Sequence, residues 1–129
     1  MMNDVKTMLI AAARSVQGNF ALSPDGFAAG GVGAALLTEQ GNVYTGICID
    51  VACGIGFCAE HAAIAEMLKH RETHIVAAVA VGDTAVVPPC GRCREFMMQI
   101  DRRNADADII ISEERTVKLR ELLPFYWNE

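Results

Sequence analysis

Two separated segments of this chain share one chemical task, and that constrains its fold more than anything else. The first is Cys58-Ala59-Glu60; the second is Pro89-Cys90-Gly91-Arg92-Cys93. Cys-x-Glu followed downstream by Pro-Cys-x-x-Cys offers three thiolates to one metal ion and a carboxylate beside it. Zinc prefers four ligands, and three protein ligands leave one position for water, which marks a hydrolytic rather than a closed structural site. A structural site needs a fourth side chain. The candidates His61, His70 and His74 have no fitting spacing, and His61, directly after Glu60, is expected to point away from the ion. Any fold of this chain must therefore bring Cys58, Cys90 and Cys93 to one point.

The 129 residues suffice for one domain with a real core, read here as a single domain over 1–129. Aromatic residues are only 6%, so the core must be built from Ala, Val, Ile, Leu and Met. A net charge of −5 and the absence of a basic stripe argue against long nucleic acid as partner and favour a small substrate. Five cysteines, three of them in metal spacing, favour a reducing, cytoplasmic setting over a disulfide framework. The apolar run Met8–Ala13 is too short to span a bilayer, and Asp4 offsets Lys6 ahead of it, so neither a membrane segment nor a signal peptide is expected.

Read along the chain, Asn3-Asp4 caps a helix running to about Gln17, and Ser23-Pro24-Asp25-Gly26 forms a turn. Val32–Thr38 and Val43–Ile49 form a hairpin across Glu39–Asn42. Val51–Gly56 is a loop, and Cys58–Lys69 has helical spacing. Ile75–Val81 is a continuous apolar run, as in a strand covered on both faces. Thr84–Pro89 reads as a loop, Cys90 to about Arg102 as a helix, and Ala107–Ser112 as a strand. A short fifth strand at Thr116-Val117 and a short helix over Leu119–Leu123 complete the chain. Alternating helices and strands give an α/β class: a three-layer α/β/α sandwich around a mixed five-stranded sheet.

Both cysteine groups fall where helices should begin. Unsatisfied N–H groups and the helix dipole lower thiol pKa values there and favour thiolates. Three thiolates on Zn²⁺ leave a net charge near −1, which weakens the Lewis acid. Arg92 or Arg94 could offset that by donating hydrogen bonds to sulfur. Glu60 is near the ion without being forced to bind it, and a carboxylate there can carry protons for the exchange of an aromatic amine for oxygen.

These motifs resemble the cytidine deaminase superfamily, most closely its small tetrameric members. Val32-Gly33-Ala34-Ala35-Leu36 with Tyr44-Thr45-Gly46 is similar to the family's first hairpin, and Arg120-Glu121-Leu122-Leu123-Pro124 to its closing segment. The arginine between the paired cysteines and the C-terminal Leu-Leu-Pro lean toward blasticidin S deaminase. The resemblance implies one zinc per subunit on Cys58, Cys90 and Cys93, Glu60 as proton shuttle, and a homotetramer. It implies deamination of a cytosine-type nucleoside, cytidine or deoxycytidine to uridine or deoxyuridine with release of ammonia. A cytosine-nucleoside antibiotic such as blasticidin S is the alternative. A nucleic-acid editing deaminase or a non-catalytic zinc-binding member would also carry these motifs.

The chain departs from that pattern where the sugar is bound. Cytidine deaminases follow the Thr-Gly with an asparagine and a glutamate that hold the ribose hydroxyls; Cys48 and Asp50 stand in those places. Together with Ala59 they are the candidate substrate contacts. A turn-capping role for Asp50 and a buried apolar role for Cys48 and Cys53 are the plain alternatives. The arginine usually found after the glutamate is replaced by His61, which either donates to a thiolate or simply packs. Phe125, Tyr126 and Trp127 are expected to pack on the sheet, with closing a pocket, in this chain or a neighbouring copy, as the alternative.

Overall fold

The computed structural model describes residues 2–128. Helix α1 (Met2–Val16) is followed by the short strand β1 (Phe20–Ala21) and the long strand β2 (Ala28–Thr38). Strand β3 (Val43–Asp50) leads through a loop to helix α2 (Ala59–Lys69), and β4 (Ile75–Val81) and the two-residue β5 (Val86–Val87) lead to helix α3 (Gly91–Ile100). A 3-10 turn (Arg102–Asp106), strands β6 (Asp108–Ile110) and β7 (Thr116–Lys118), and a second 3-10 turn (Leu119–Leu122) complete the chain.

Five of the strands form the mixed sheet expected from the sequence, in the order β3-β2-β4-β6-β7. The β4–β6 pair is parallel and the other neighbours are antiparallel. The sequence reading missed β1 and β5, which pair with the ends of β2 and β4 and are too short to show a pattern. Strand β2 also begins four residues before the expected Val32. Its first residues pair with both β1 and β3, and the register shifts between Ala29 and Gly33, where Gly30 has a φ of 87°. Gly30 and Gly31 thus form a bulge inside a longer strand.

Side-chain alternation assigns the layers. Ala35, Ala77, Val79, Val81 and Ile110 pack with Leu9 and Ala13 of α1 on one face. On the other face, Leu36, Ala78 and Ile109 pack with Ile64 and Met67 of α2 and Met97 of α3. One-residue steps along β2, β4 and β6 thus supply both cores. The apolar run Ile75–Val81 lies almost wholly inside, as a strand covered on both faces must.

Strands β3 and β4 are both antiparallel to β2 and therefore parallel to each other. Their carboxyl ends lie at one edge of the sheet. Helix α2 follows β3 and α3 follows β4, so both helices begin near that edge, the usual place for an α/β site. The helix expected to reach Arg102 stops at Ile100 because Asp101 is extended (φ −165°, ψ 125°) and its side chain accepts the N–H of Arg103. Fully buried Asn104 then ties the layers together. It accepts the N–H of Ile75 at 2.7 Å and donates to the carbonyls of Thr73 (3.1 Å) and Met97 (2.9 Å).

Gly46 sets how deeply α2 sits on the sheet. A Cβ there would lie 2.4 Å from the Ala63 nitrogen and 2.6 Å from the Ala59 carbonyl oxygen. Gly46→Ala must push back the helix that carries Glu60. It is expected to cost about 1–3 kcal/mol, the range of overpacked cores, measurable by urea unfolding; an unchanged midpoint would contradict this packing.

Candidate metal centre and active site

Cys58 is the N-cap of α2 and Cys90 the N-cap of α3, each with extended backbone (ψ 158° and 170°). Cys93 lies three residues after Cys90, in the first turn of α3. The Sγ atoms of Cys58 and Cys90 are 3.2 Å apart and those of Cys90 and Cys93 3.5 Å, and all three sulfurs lie within 4.8 Å of one another. Four-coordinate zinc with sulfur at 2.3 Å places its sulfurs ~3.8 Å apart, so the donor set fits zinc. Among the described residues, no fourth His, Cys, Asp or Glu joins the group. The single point of convergence demanded by the sequence is present.

The sulfurs differ in setting. Cys93 is fully buried, Cys58 half-buried and Cys90 exposed. Burial resists ionisation of Cys90, but the amides of Cys93 and Arg92 and the neighbouring thiols outweigh it and hold the thiol below its ordinary value. Burial raises Cys58 and Cys93, with neighbouring thiols and the Glu60 carboxylate adding to the effect. The lowering of thiol pKa expected at both helix starts is thus found at Cys90 alone. The other two depend on the metal to displace their protons.

Glu60, in the first turn of α2, is 5% exposed. Burial raises its carboxyl above the usual range, while its own backbone N–H and the Cys93 thiol draw it partly back. It lines a cleft of about 660 Å³ at the sheet edge, within the size range of small-molecule sites. Cys58, Cys90 and Arg92 line the metal side of this cleft, Cys48 and Asp50 the end of β3, and Phe57, Val87 and Pro88 supply apolar wall. Ala59, fully buried, also lines it. The structure therefore brings together Cys58, Cys90, Glu60, Ala59, Cys48, Asp50 and Arg92 in one cleft, with Cys93 closing the sulfur cluster behind it.

His61 meets a sulfur. Its Nδ1 lies 3.4 Å from Cys93 Sγ, and its ring stacks on Phe96 (centroids 4.6 Å, 17°) and more loosely on Phe57 (6.4 Å). Burial first, then the charge of Arg92, lower its pKa. With Cys93 ionised, a hydrogen bond between them requires the proton on Nδ1, so the neutral ring donates to the thiolate. The expectation that it points away from the ion is corrected: it is not a ligand but touches one. The Arg92 side chain makes no hydrogen bond among the described residues and acts on His61 through charge. Arg94 is not a sulfur donor, since its Nε donates to the Pro89 carbonyl (2.8 Å) and its guanidinium reaches the Leu122 carbonyl (3.5 Å).

Two further expectations fail, one of them in part. Cys53, read as a buried apolar residue like Cys48, is exposed in the loop with a φ of 63°. The expectation that the C-terminal aromatics pack on the sheet fails for Phe125 and Trp127, which are exposed, and holds only for Tyr126, which packs against the core on the α2–α3 side. Tyr126 and Trp127 both donate to Glu95 on α3 (2.6 and 3.0 Å), and Phe125 is fully exposed. Sequence reasoning missed Phe57 and Phe96 as the rings that hold His61. Phe57 sat in plain view beside Cys58, while Phe96 is one helical turn from Arg92 and gave no signal.

A family model described as "Cytidine and deoxycytidylate deaminase zinc-binding region" matches residues 8–106, which include every residue of the cleft. The chain is 35% identical over 99 residues to a cytidine deaminase of Halalkalibacterium halodurans, spanning 72% of this chain and 74% of that protein. It is 32% identical over 96 residues to one of Mycobacterium tuberculosis, spanning 72% and 69%. A crystal structure of cytidine deaminase from Mycobacterium tuberculosis superposes with a TM-score of 0.78 at 29% identity, covering 95% of this chain and 97% of that one. The chain belongs to the cytidine and deoxycytidylate deaminase zinc-binding family. It is a zinc-dependent hydrolase.

Because more than one raised thiol must lose its proton, the apparent zinc affinity should fall by more than about tenfold per pH unit on acidification below neutrality. Competition with a chelator across pH measures this. A flat profile would mean that the thiols are ionised without the metal.

Proposed function

We propose that this protein deaminates a cytosine-type aminopyrimidine nucleoside by hydrolysis, with cytidine or deoxycytidine as substrate and ammonia as leaving group. The observation that carries this reading is a buried carboxylate with a raised pKa beside three converging sulfurs at the floor of a nucleoside-sized cleft. The cytidine deaminases among its relatives support the substrate assignment.

Cys58, Cys90 and Cys93 hold the zinc, and His61 donates to Cys93 and eases the negative charge on the sulfurs. When bound, zinc lowers the pKa of a water in its open position to near neutrality. Glu60 takes a proton from the attacking water and delivers it to the ring nitrogen. It then takes the proton of the hydroxyl newly added to the ring carbon and passes it to the departing amine as the C–N bond breaks and the carbonyl forms, so that water is consumed and ammonia released. A carboxyl raised toward neutrality suits both directions of transfer. We assign the Ala59 backbone, which lines the cleft at the helix start, to the amide edge of the base. Phe57, Val87 and Pro88 limit water around the ring.

A second reading, deamination of a cytosine-nucleoside antibiotic such as blasticidin S, draws on Arg92 at the cleft wall. A single domain over residues 1–129 acting as a cytoplasmic homotetramer is our reading of the assembly. The exposed Ile55, Phe57, Phe125 and Trp127 support burial between subunits, and none of the described helices is long and apolar enough to cross a membrane.

Ammonia release from cytidine, deoxycytidine, cytosine and blasticidin S by the zinc-loaded protein tests the reading. Glu60→Gln is expected to lower kcat by about 10²–10⁴-fold at unchanged zinc content. Turnover of none of the four, or full activity of the variant, would refute it.

A further inference from the structure

The end of the cleft formed by β3 is unusual in what it lacks. None of the residues lining the cleft carries a hydroxyl, amide, imidazole or ammonium side chain. Apart from the cysteines, its polar side chains are Glu60, Arg92 and Asp50. Arg92 belongs to the metal side, on α3. What faces the non-reacting part of a substrate at β3 is therefore Asp50.

Cys48 prepares that carboxylate. Cys48 and Asp50 lie two apart on β3 and so project from the same face of the sheet, the face on which Gly46 meets α2. Buried Cys48 accepts the N–H of Val32 at 3.3 Å and donates its single S–H to Asp50 Oδ2 at 3.7 Å. A thiol has one proton to give. With that proton spent on Asp50, Cys48 offers no donor to a ligand and acts as a positioning residue. Asp50 Oδ1 makes no hydrogen bond among the described residues, and the residue is exposed to the cleft.

From this geometry we propose that Asp50, held by Cys48, forms an acceptor-only subsite that selects nucleosides carrying a protonated amine on the sugar over those carrying a hydroxyl alone. This deepens the deaminase reading above and rests on it. A carboxylate can only accept, so each hydroxyl must turn its proton toward it and leave its own lone pairs to water. A hydroxyl's bond to the carboxylate is already charge-assisted; an ammonium group, which brings donors only, adds the attraction of opposite charges. The zinc–thiolate cluster, with its net charge near −1, and the chain's net charge of −5 favour a cation over an anion as well, opposed only by the Arg92 guanidinium on the metal side. Because Asp50 is exposed, solvent screens the attraction, and a preference of about tenfold rather than a thousandfold is expected.

The test compares 3′-amino-2′,3′-dideoxycytidine with deoxycytidine, which differ at one sugar substituent. The zinc-loaded enzyme is assayed at neutral pH and low salt. The expected result is a kcat/KM about tenfold higher for the amino compound, shrinking as salt is raised. Asp50→Asn should erase the difference while zinc content stays at the wild-type level, and Cys48→Ala should reduce it. Equal or better use of deoxycytidine by the wild type would overturn the proposal and leave the deaminase reading standing, as would a preference that survives in Asp50→Asn. Turnover of neither compound would overturn the proposal, and would remove the deaminase reading as well only if cytidine were also left unchanged.

Discussion

Everything in this molecule depends on three sulfur atoms meeting from two helices. Zinc–thiolate bonds are short and directional, so the helix starts that carry Cys58 and Cys90 must be placed to within a fraction of an ångström. The sheet does this by topology. Strands β3 and β4 flank β2 and run the same way, so the helices that follow them begin at one edge. Gly46 admits α2 against β3, and Asn104 locks the end of α3 to the start of β4. Each of these contacts lies outside the cleft, and each fixes a helix that carries a ligand.

The electrostatics follow from that placement. Burying two of the sulfurs raises their pKa values, and the chain does not ionise them by helix termini alone. The cluster is built for a cation rather than for free thiolates. The same burial raises the Glu60 carboxyl above the range of an ordinary glutamate, which suits the proton-carrying role proposed for it. His61 brings a neutral donor to Cys93 where a fixed cation would have added charge. That donor is held flat between Phe57 and Phe96.

Much of this was legible in the sequence because the strongest signals are periodic or chemical. The run Ile75–Val81 announced a doubly covered strand, the hairpin around Glu39–Asn42 announced its turn, and the cysteine spacing announced the metal. What escaped was set by tertiary context. Two-residue strands such as Val86–Val87 carry no period. Gly30-Gly31 falls before the strand expected from Val32, and only the pairing across it extends the strand. The end of α3 depends on Asp101 capping a following turn, and propensity alone ran the helix on to Arg102. His61 was undecidable from order along the chain, since the first turn of a helix can aim a side chain at either neighbour. Cys48 and Cys53 looked alike in sequence, yet one faces into the sheet and the other sits on a loop in a left-handed conformation.

Zinc-edge X-ray absorption on the purified protein probes the central claim most directly. Three sulfur scatterers at about 2.3 Å and one lighter oxygen scatterer, exchanged when a nucleoside analogue binds, are the predicted shell. A shell of four protein ligands, or protein that takes up no zinc at all, would contradict the account.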